Sequence, residues 1–158
     1  MNQQPVATFY LDSSALVKRY AVEAGTDWVR ALCEPSDRVI AVALIGIVEV
    51  AAAVAGKVRG KVIDRATADA ILADLKADAA TRYLLLDVNQ YVADEAIELT
   101  GRYRLRGYDA IHLACALRLH RTLVDRQMSP LTLVTADNDL LDAAQAEGLQ
   151  TENPNLHP

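Results

Sequence analysis

Acidic residues follow two apolar runs of the sequence. Their positions favour a role in binding or catalysis over that of ordinary surface charges. Asp12 comes directly after residues 6–11, and Asp137, with Asp139 two residues on, comes after residues 131–135. Short apolar runs of this kind are typical of strands buried in a parallel sheet. Ligands bind at the carboxyl ends of such strands, so these carboxylates are candidates for a site.

Two further acids lie within an apolar segment or at its start. Glu49 is the only charged residue between Val39 and Ala55, and Asp109 opens the largely apolar segment 109–117. A carboxylate that is buried without a partner is costly. Each of these two side chains therefore needs a cation, a proton or a hydrogen-bonding group.

Each acid also has a purely structural interpretation. Asp12 and Asp109 could cap helices, Asp137 and Asp139 could occupy a turn and a helix start, and Glu49 could bond to a backbone group or a distant arginine. The set is harder to explain in this way, because two carboxylates ~4 Å apart repel by about 4 kcal/mol at an effective dielectric near 20. Converging acids therefore predict a cation, and all-oxygen ligation suits Mg²⁺ or Mn²⁺ better than zinc.

The elements that must position these acids alternate along the chain. Apolar runs predict four strands, at residues 6–11, 38–43, 83–88 and 131–135. Capping residues and periodicity predict the helices, at residues 15–20, 26–34, 44–58, 64–82, 89–104, 109–122 and 138–147. The alternation predicts a three-layer α/β fold, with a central, mostly parallel sheet flanked by helices. We expect a single domain over residues 1–152 and a loose C-terminal tail over residues 153–158.

Composition narrows the class of protein. The chain has 158 residues, 52% of them hydrophobic and 23% charged, which excludes a disordered or low-complexity chain. Cys33 and Cys115 fit neither a zinc site nor a disulfide framework. No apolar run approaches the roughly 18 residues that span a bilayer, and no signal peptide is visible. We therefore expect a soluble, cytoplasmic protein with no membrane partner.

Charge is unevenly distributed along the chain. The net charge is −5, which disfavours non-specific binding to nucleic acid. Residues 102–126 nevertheless hold six arginines against two aspartates. A local basic stripe could therefore still contact a polyanion.

Four segments together resemble the PIN domain, and more closely the VapC-type toxins of bacterial toxin–antitoxin pairs. They are residues 10–20, 48–53, 105–114 and 133–141, which have the family's order and spacing and cover nearly the whole chain. The resemblance implies a PIN-like fold and a ribonuclease that depends on Mg²⁺ or Mn²⁺. It also implies that the catalytic and metal-binding carboxylates are Asp12, Glu49, Asp109 and Asp137, with Asp139 as a further candidate.

The resemblance assigns supporting roles as well. A small hydroxyl residue after the first acid matches Ser13 or Ser14, and the family's last motif has a threonine that matches Thr135; both would orient carboxylates or water. Relatives often carry Ser or Thr at the position of Ala43, so a hydrogen bond is expected to be missing there.

Three basic residues and one histidine stand near the acids. Arg106, Lys18 and Arg19 could contact a substrate phosphate, or they could be ordinary surface charges. His112 follows Asp109 by one helical turn and could reach a metal, but a role in helix packing is favoured because a hard cation does not need imidazole.

The resemblance implies an endoribonuclease toxin, in which a metal-activated water attacks phosphodiesters of RNA. Its expected partners are RNA, a small cognate antitoxin and a second copy of the chain. The first alternative is a catalytically silent module that binds RNA or antitoxin. The second is phosphoryl transfer through a nucleophilic Asp12, which Ser14 disfavours because that chemistry wants a second acid there.

Overall fold

The computed structural model describes residues 5–158 and contains a five-stranded sheet. The strands are β1 (Ala7–Leu11), β2 (Arg38–Ala43), β3 (Tyr83–Leu86), β4 (Thr132–Val134) and β5 (Gln150–Glu152). Their order is β3-β2-β1-β4-β5, and every neighbouring pair is parallel. The predicted α/β fold with a parallel central sheet is confirmed.

Seven α-helices are found in the part of the chain that the structure describes, and they connect and flank the strands. They are α1 (Ser13–Tyr20), α2 (Thr26–Cys33), α3 (Leu44–Arg59), α4 (Arg65–Thr81), α5 (Gln90–Arg102), α6 (Gly107–Asp125) and α7 (Asn138–Ala146). Over residues 5–158, none of these helices has the length and apolar character needed to cross a bilayer.

The sheet separates two apolar cores. Tyr10 packs in one core and the next residue, Leu11, in the other; Leu133 and Val134 divide in the same way. Successive side chains of a strand point to opposite faces, so a strand buried on both sides serves both cores. The core on the face of Tyr10 includes residues of α5, α6 and α7, and the other includes residues of α1 to α4.

The strand order places a crevice between β1 and β4. From β1 the chain builds outward through β2 and β3, and then returns to place β4 on the other side of β1. A crevice opens at the carboxyl ends of the strands where a parallel sheet reverses direction in this way. At that edge, the Asp12 amide donates to the Val134 carbonyl at 3.2 Å, and the Thr135 amide donates to the Glu152 carbonyl at 3.1 Å.

Two elements differ from the sequence prediction. The fifth strand was not predicted, because Gln150, Thr151 and Glu152 show no apolar run; β5 exists through its pairing with β4. Helix α6 begins at Gly107, two residues before the predicted start. Asp109 therefore lies inside the first turn and is not the capping residue.

The C-terminal segment 153–158, predicted as a loose tail, instead packs onto the domain. Residues Pro154–Leu156 form a 3₁₀ turn whose proline is buried. The His157 ring stacks on Trp28 of α2 with centroids 4.3 Å apart. Gly25 permits this packing, because a Cβ there would collide with the Pro154 carbonyl oxygen. Nothing in this polar, proline-containing segment indicated the aromatic stack.

Candidate active site

Asp12 lies at the junction of β1 and α1 and is 2% exposed. Its Oδ1 accepts hydrogen bonds from the Ala15 amide at 3.0 Å and from Ser14 Oγ at 2.7 Å. Its Oδ2 accepts a hydrogen bond from Thr135 Oγ1 at 2.7 Å. Asp12 therefore does cap α1, and its carboxylate is also fixed from the neighbouring strand.

Burial affects the protonation of this carboxyl. It raises the pKa of Asp12 above the ordinary value, while the nearby His112 and the hydrogen bonds from Thr135 and Ser14 act in the opposite direction. The net effect is upward. An ionised Asp12 is thus held at a cost, which a cation would reduce.

Two hydroxyl groups tie the ends of β1 and β4 together. Ser14 Oγ accepts from the Ala136 amide at 2.9 Å, and Thr135 Oγ1 accepts from the Asp137 amide at 3.1 Å. Both hydroxyls donate to Asp12. Of the two serines that could match the family motif, Ser14 is therefore the one whose side chain bonds to the acid.

Asp109 and Asp137 line one cavity of about 210 Å³. Asp137 caps α7, since its Oδ1 accepts from the Leu140 amide at 2.8 Å. Burial is the largest cause that raises the pKa of Asp109, followed by the negative charges of Asp137 and Asp12. Asp137 and Asp12 therefore both lie close enough to Asp109 to disfavour its ionised form. The cavity is completed by Arg104, Leu105, Arg106 and the exposed Asp139.

Glu49 has a partner that the sequence did not reveal. His112 is 1% exposed, and its Nε2 lies 2.6 Å from Glu49 Oε1. Its Nδ1 lies 2.7 Å from the hydroxyl of the fully buried Tyr10. Glu49 itself remains 25% exposed. His112 is therefore a packed core residue, as favoured, but one that hydrogen-bonds a candidate site residue.

The chemistry of these donors suits a divalent cation. Carboxylate oxygens are the ligands that Mg²⁺ and Mn²⁺ prefer, and both burial and the charges of Asp137 and Asp12 disfavour an ionised Asp109 that has no cation beside it. Among residues 5–158, however, no group of three or more His, Cys, Asp or Glu side chains is arranged as it stands to hold a metal ion. The chemistry of the donor set nevertheless fits such an ion.

Of the three basic residues proposed to contact phosphate, Arg106 lines the acidic cavity, whereas Lys18 and Arg19 lie elsewhere. Arg106 lines the cavity of Asp109, together with Arg104, which sequence reasoning did not single out although it lies two residues away in the same loop. Lys18 is only 6% exposed and pairs with Glu23 at 3.3 Å, so it presents little surface to a polyanion. Arg19 lines a different cavity.

Solved structures from three bacteria share this architecture. FitAcB from Neisseria gonorrhoeae is 17% identical, with a TM-score of 0.64, over 92% of this chain and 97% of that chain. A toxin–antitoxin complex from Klebsiella pneumoniae is 21% identical, with a TM-score of 0.57, over 94% of this chain and 97% of that chain. VapC20 from Mycobacterium tuberculosis is described as a sarcin–ricin loop cleaving toxin. It is 15% identical, with a TM-score of 0.60, over 89% of this chain and 95% of that chain.

These likenesses establish a shared fold at low sequence identity. No curated protein matches the sequence. The family model of the PIN domain, in contrast, matches residues 9–146, a range that includes all four candidate acids and most of the sheet. The chain belongs to the PIN domain family.

Proposed function

We propose that the protein is a metal-dependent endoribonuclease and the toxin of a toxin–antitoxin pair. The observation that carries the proposal is that Asp109 and Asp137 line one cavity, while Asp12 and Asp137 follow the ends of the adjacent parallel strands β1 and β4. Membership of the PIN domain family supports it, and so does the likeness to VapC20, which is described as a sarcin–ricin loop cleaving toxin.

Asp12, Asp109 and Asp137 are the side chains that would hold Mg²⁺ or Mn²⁺. When bound, such an ion supplies an activated water and compensates the charge of the phosphodiester. Ser14 and Thr135 keep the Asp12 carboxylate in one orientation, at 2.7 Å each. Asp139 is exposed at the same cavity and could add a carboxylate to the set.

Glu49 and the loop arginines have separate tasks in this proposal. His112 holds Oε1 of Glu49, which leaves Oε2 available to a water molecule or to the cation. Arg104 and Arg106 line the same cavity as Asp109, and their guanidinium groups match the geometry of phosphate oxygens. They would bind the RNA backbone beside the carboxylates.

Exposed apolar side chains support a protein partner. Leu44 and Val48, one turn apart on α3, are 43% and 66% exposed beside Glu49. A small antitoxin could cover them and place an arginine among the carboxylates. On α5, Tyr91 and Ile97 are 70% and 68% exposed, which supports the expected homodimer.

The test compares the wild-type protein with Asp12→Asn and with a control, Asp142→Asn, at an exposed position of α7. Each purified, partner-free protein is incubated with total RNA and Mg²⁺ or Mn²⁺, with and without a chelator. We expect discrete fragments from wild type and control only, and none with the chelator.

Equal cleavage by wild type and Asp12→Asn would overturn the assignment of the site. RNA binding without cleavage, by folded wild-type protein in either metal, would support the silent binding module instead. A protein trapped with phosphate on Asp12 would point to phosphoryl transfer.

A further inference from the structure

A second cavity, of about 270 Å³, lies at the edge of the sheet opposite the acidic site. It is lined by Arg38 and Tyr83, which begin β2 and β3. Asp12 and Asp137, in contrast, follow the ends of β1 and β4. Because the strands are parallel, residues at strand starts and residues after strand ends lie at opposite edges.

Three arginines line this second cavity: Arg19, Arg38 and Arg82. Arg19 and Arg82 share one carboxylate, Asp78, each through a contact of 3.4 Å. Arg38 donates to the Leu32 carbonyl at 3.2 Å and takes part in none of the ion pairs found among residues 5–158. Three cations thus face one ion-paired carboxylate.

Asp78 has little capacity to compensate them further. Its Oδ2 also accepts a hydrogen bond from Tyr20 at 2.8 Å, and the Tyr20 hydroxyl is bonded in turn to that of Tyr83. Glu34 lines the cavity too, but it is exposed and pairs with none of the three arginines in the described residues.

Arg19 is largely buried and is much less exposed than Arg82. Its side chain is 11% exposed, and its Nη1 is buried without a hydrogen-bond partner in the part of the chain that the structure describes. A buried donor that lacks a partner is costly, and more so when it carries charge. An anion in the cavity that Arg19 lines would supply counter-charge to this largely buried guanidinium group.

We propose that this arginine pocket binds a small phosphate group, either inorganic phosphate or a phosphate monoester. Guanidinium groups bind phosphate oxygens in pairs, with geometry that an ammonium group cannot match. A phosphate anion would also offset the positive charge of the pocket, where three arginines outnumber the carboxylates of Asp78 and Glu34. The site is separate from the acidic cavity and does not depend on the proposed nuclease activity.

Calorimetric titration of the metal-free full chain with inorganic phosphate, at ionic strength held constant with NaCl, tests the proposal. We expect saturable binding that weakens at least about tenfold in Arg38→Gln and Arg82→Gln, since a charged hydrogen bond is worth roughly 1.5–3 kcal/mol. The matched control is Arg59→Gln, an exposed arginine that does not line the pocket. It should bind phosphate as wild type does.

Arg19→Gln should weaken binding most, but Arg19 is packed between elements and this variant could unfold. Arg82 is 49% exposed, so Arg82→Gln keeps the test decisive, with a thermal melt to verify folding. Amide resonances of Ser36 and Tyr83, which line the pocket, should shift on titration.

Two further titrations identify the source of the phosphate. Tighter binding of adenosine 5′-monophosphate than of phosphate, with no binding of adenosine, would assign a monoester; equal binding would assign inorganic phosphate. The proposal is overturned if phosphate gives no saturable heat or if Arg38→Gln and Arg82→Gln bind as wild type does. It is also overturned if only Arg104→Gln abolishes binding, since the phosphate would then occupy the acidic cavity.

Discussion

The Nε2 atom of His112 in α6 lies 2.6 Å from Oε1 of Glu49 in α3. A carboxylate can only accept, so Nε2 donates, and in the neutral ring Nδ1 accepts from the Tyr10 hydroxyl 2.7 Å away. Gly46 packs against a third side of the imidazole ring, so closely that a Cβ there would lie 3.3 Å from Cε1 of the ring. The imidazole is therefore fixed on three sides, and it orients Glu49.

Replacing His112 separates these contacts. In His112→Gln the amide can donate to Glu49 as Nε2 does, whereas in His112→Asn the shorter side chain can reach only Tyr10. We expect His112→Gln to retain most RNA cleavage and His112→Asn to lose about 10–100-fold, the usual cost of removing a group that orients a ligand. Single-turnover cleavage rates and Mn²⁺ affinity measured without RNA provide the readouts. Equal rates in the two variants would show that His112 acts only through packing.

Thr135→Val should lower both the stability of the protein and its cleavage of RNA, although valine and threonine have nearly the same shape. The substitution removes the donor to Asp12 Oδ2, in a buried hydrogen bond, and the acceptor of the Asp137 amide, in a partly buried one. We expect a loss of about 1–3 kcal/mol in the free energy of unfolding, measured by urea titration, together with reduced cleavage. Thr132→Val, at the start of β4, is the control, because the Thr132 hydroxyl makes only a 3.4 Å contact with Gln150. Similar losses in both variants would contradict the prediction.

The pKa of Asp109 predicts how stability depends on pH. Burial and the charges of Asp137 and Asp12 raise this pKa above the ordinary aspartate value of 3.8. The native state then binds a proton more readily than the unfolded chain, so this contribution to stability is present at low pH and is lost as pH rises through the raised pKa. Without metal at pH 7, Asp109→Asn should therefore raise Tm, by about 2–4 °C for each kcal/mol of relieved repulsion.

Thermal melts of wild type and Asp109→Asn in chelator, from pH 7 down to pH 4, provide the measurement. The advantage of the variant should shrink as the pH falls, because Asp109 becomes neutral in the wild type as well. An advantage that is constant with pH would mean that the carboxylate charge is not its cause. The affinity for Mn²⁺ measured without RNA should also begin to fall at a higher pH than an ordinary aspartate would set, since protons compete with the cation for the free ligand.

Arg104→Gln and Arg106→Gln should weaken RNA binding and leave the fold intact, because both arginines are exposed. If each arginine neutralises one phosphate, each substitution should reduce the slope of log K against log salt concentration by about 0.7, the value for single strands. Binding measured in metal-free buffer at several salt concentrations reports this slope. Arg126→Gln, exposed at the end of α6 and outside the cavity, should leave it unchanged. A slope that Arg104→Gln does not alter would remove this residue from the substrate contacts.

Local signals were enough to place Asp12, Asp137 and the elements around them. The run that ends at Asp12 is typical of a doubly buried strand, and Ser13 and Ser14 mark the helix start. The edge of the sheet at which Asp12 and Asp137 gather then follows from parallel topology. Glu49 was identified by contrast with its apolar neighbours, which requires no knowledge of its partner.

Relations across the chain left no such signal. His112 is separated from Glu49 by 63 residues, and nothing local distinguishes a packed histidine from one that orients a carboxylate. The strand β5 consists of polar residues, and its pairing with β4 makes it a strand. Arg104 resembled any surface arginine until the loop before α6 placed it in the cavity of Asp109.

The bond between Thr135 and Asp12 joins residues 123 positions apart, and the Thr135 amide is held in turn by Glu152. Synthesis proceeds from the N-terminus, and a domain generally folds as a unit. On a nascent chain, Asp12 is made long before its partner Thr135 and before β5, which holds Thr135. The acidic site can therefore be completed only after the chain has been made through residue 152.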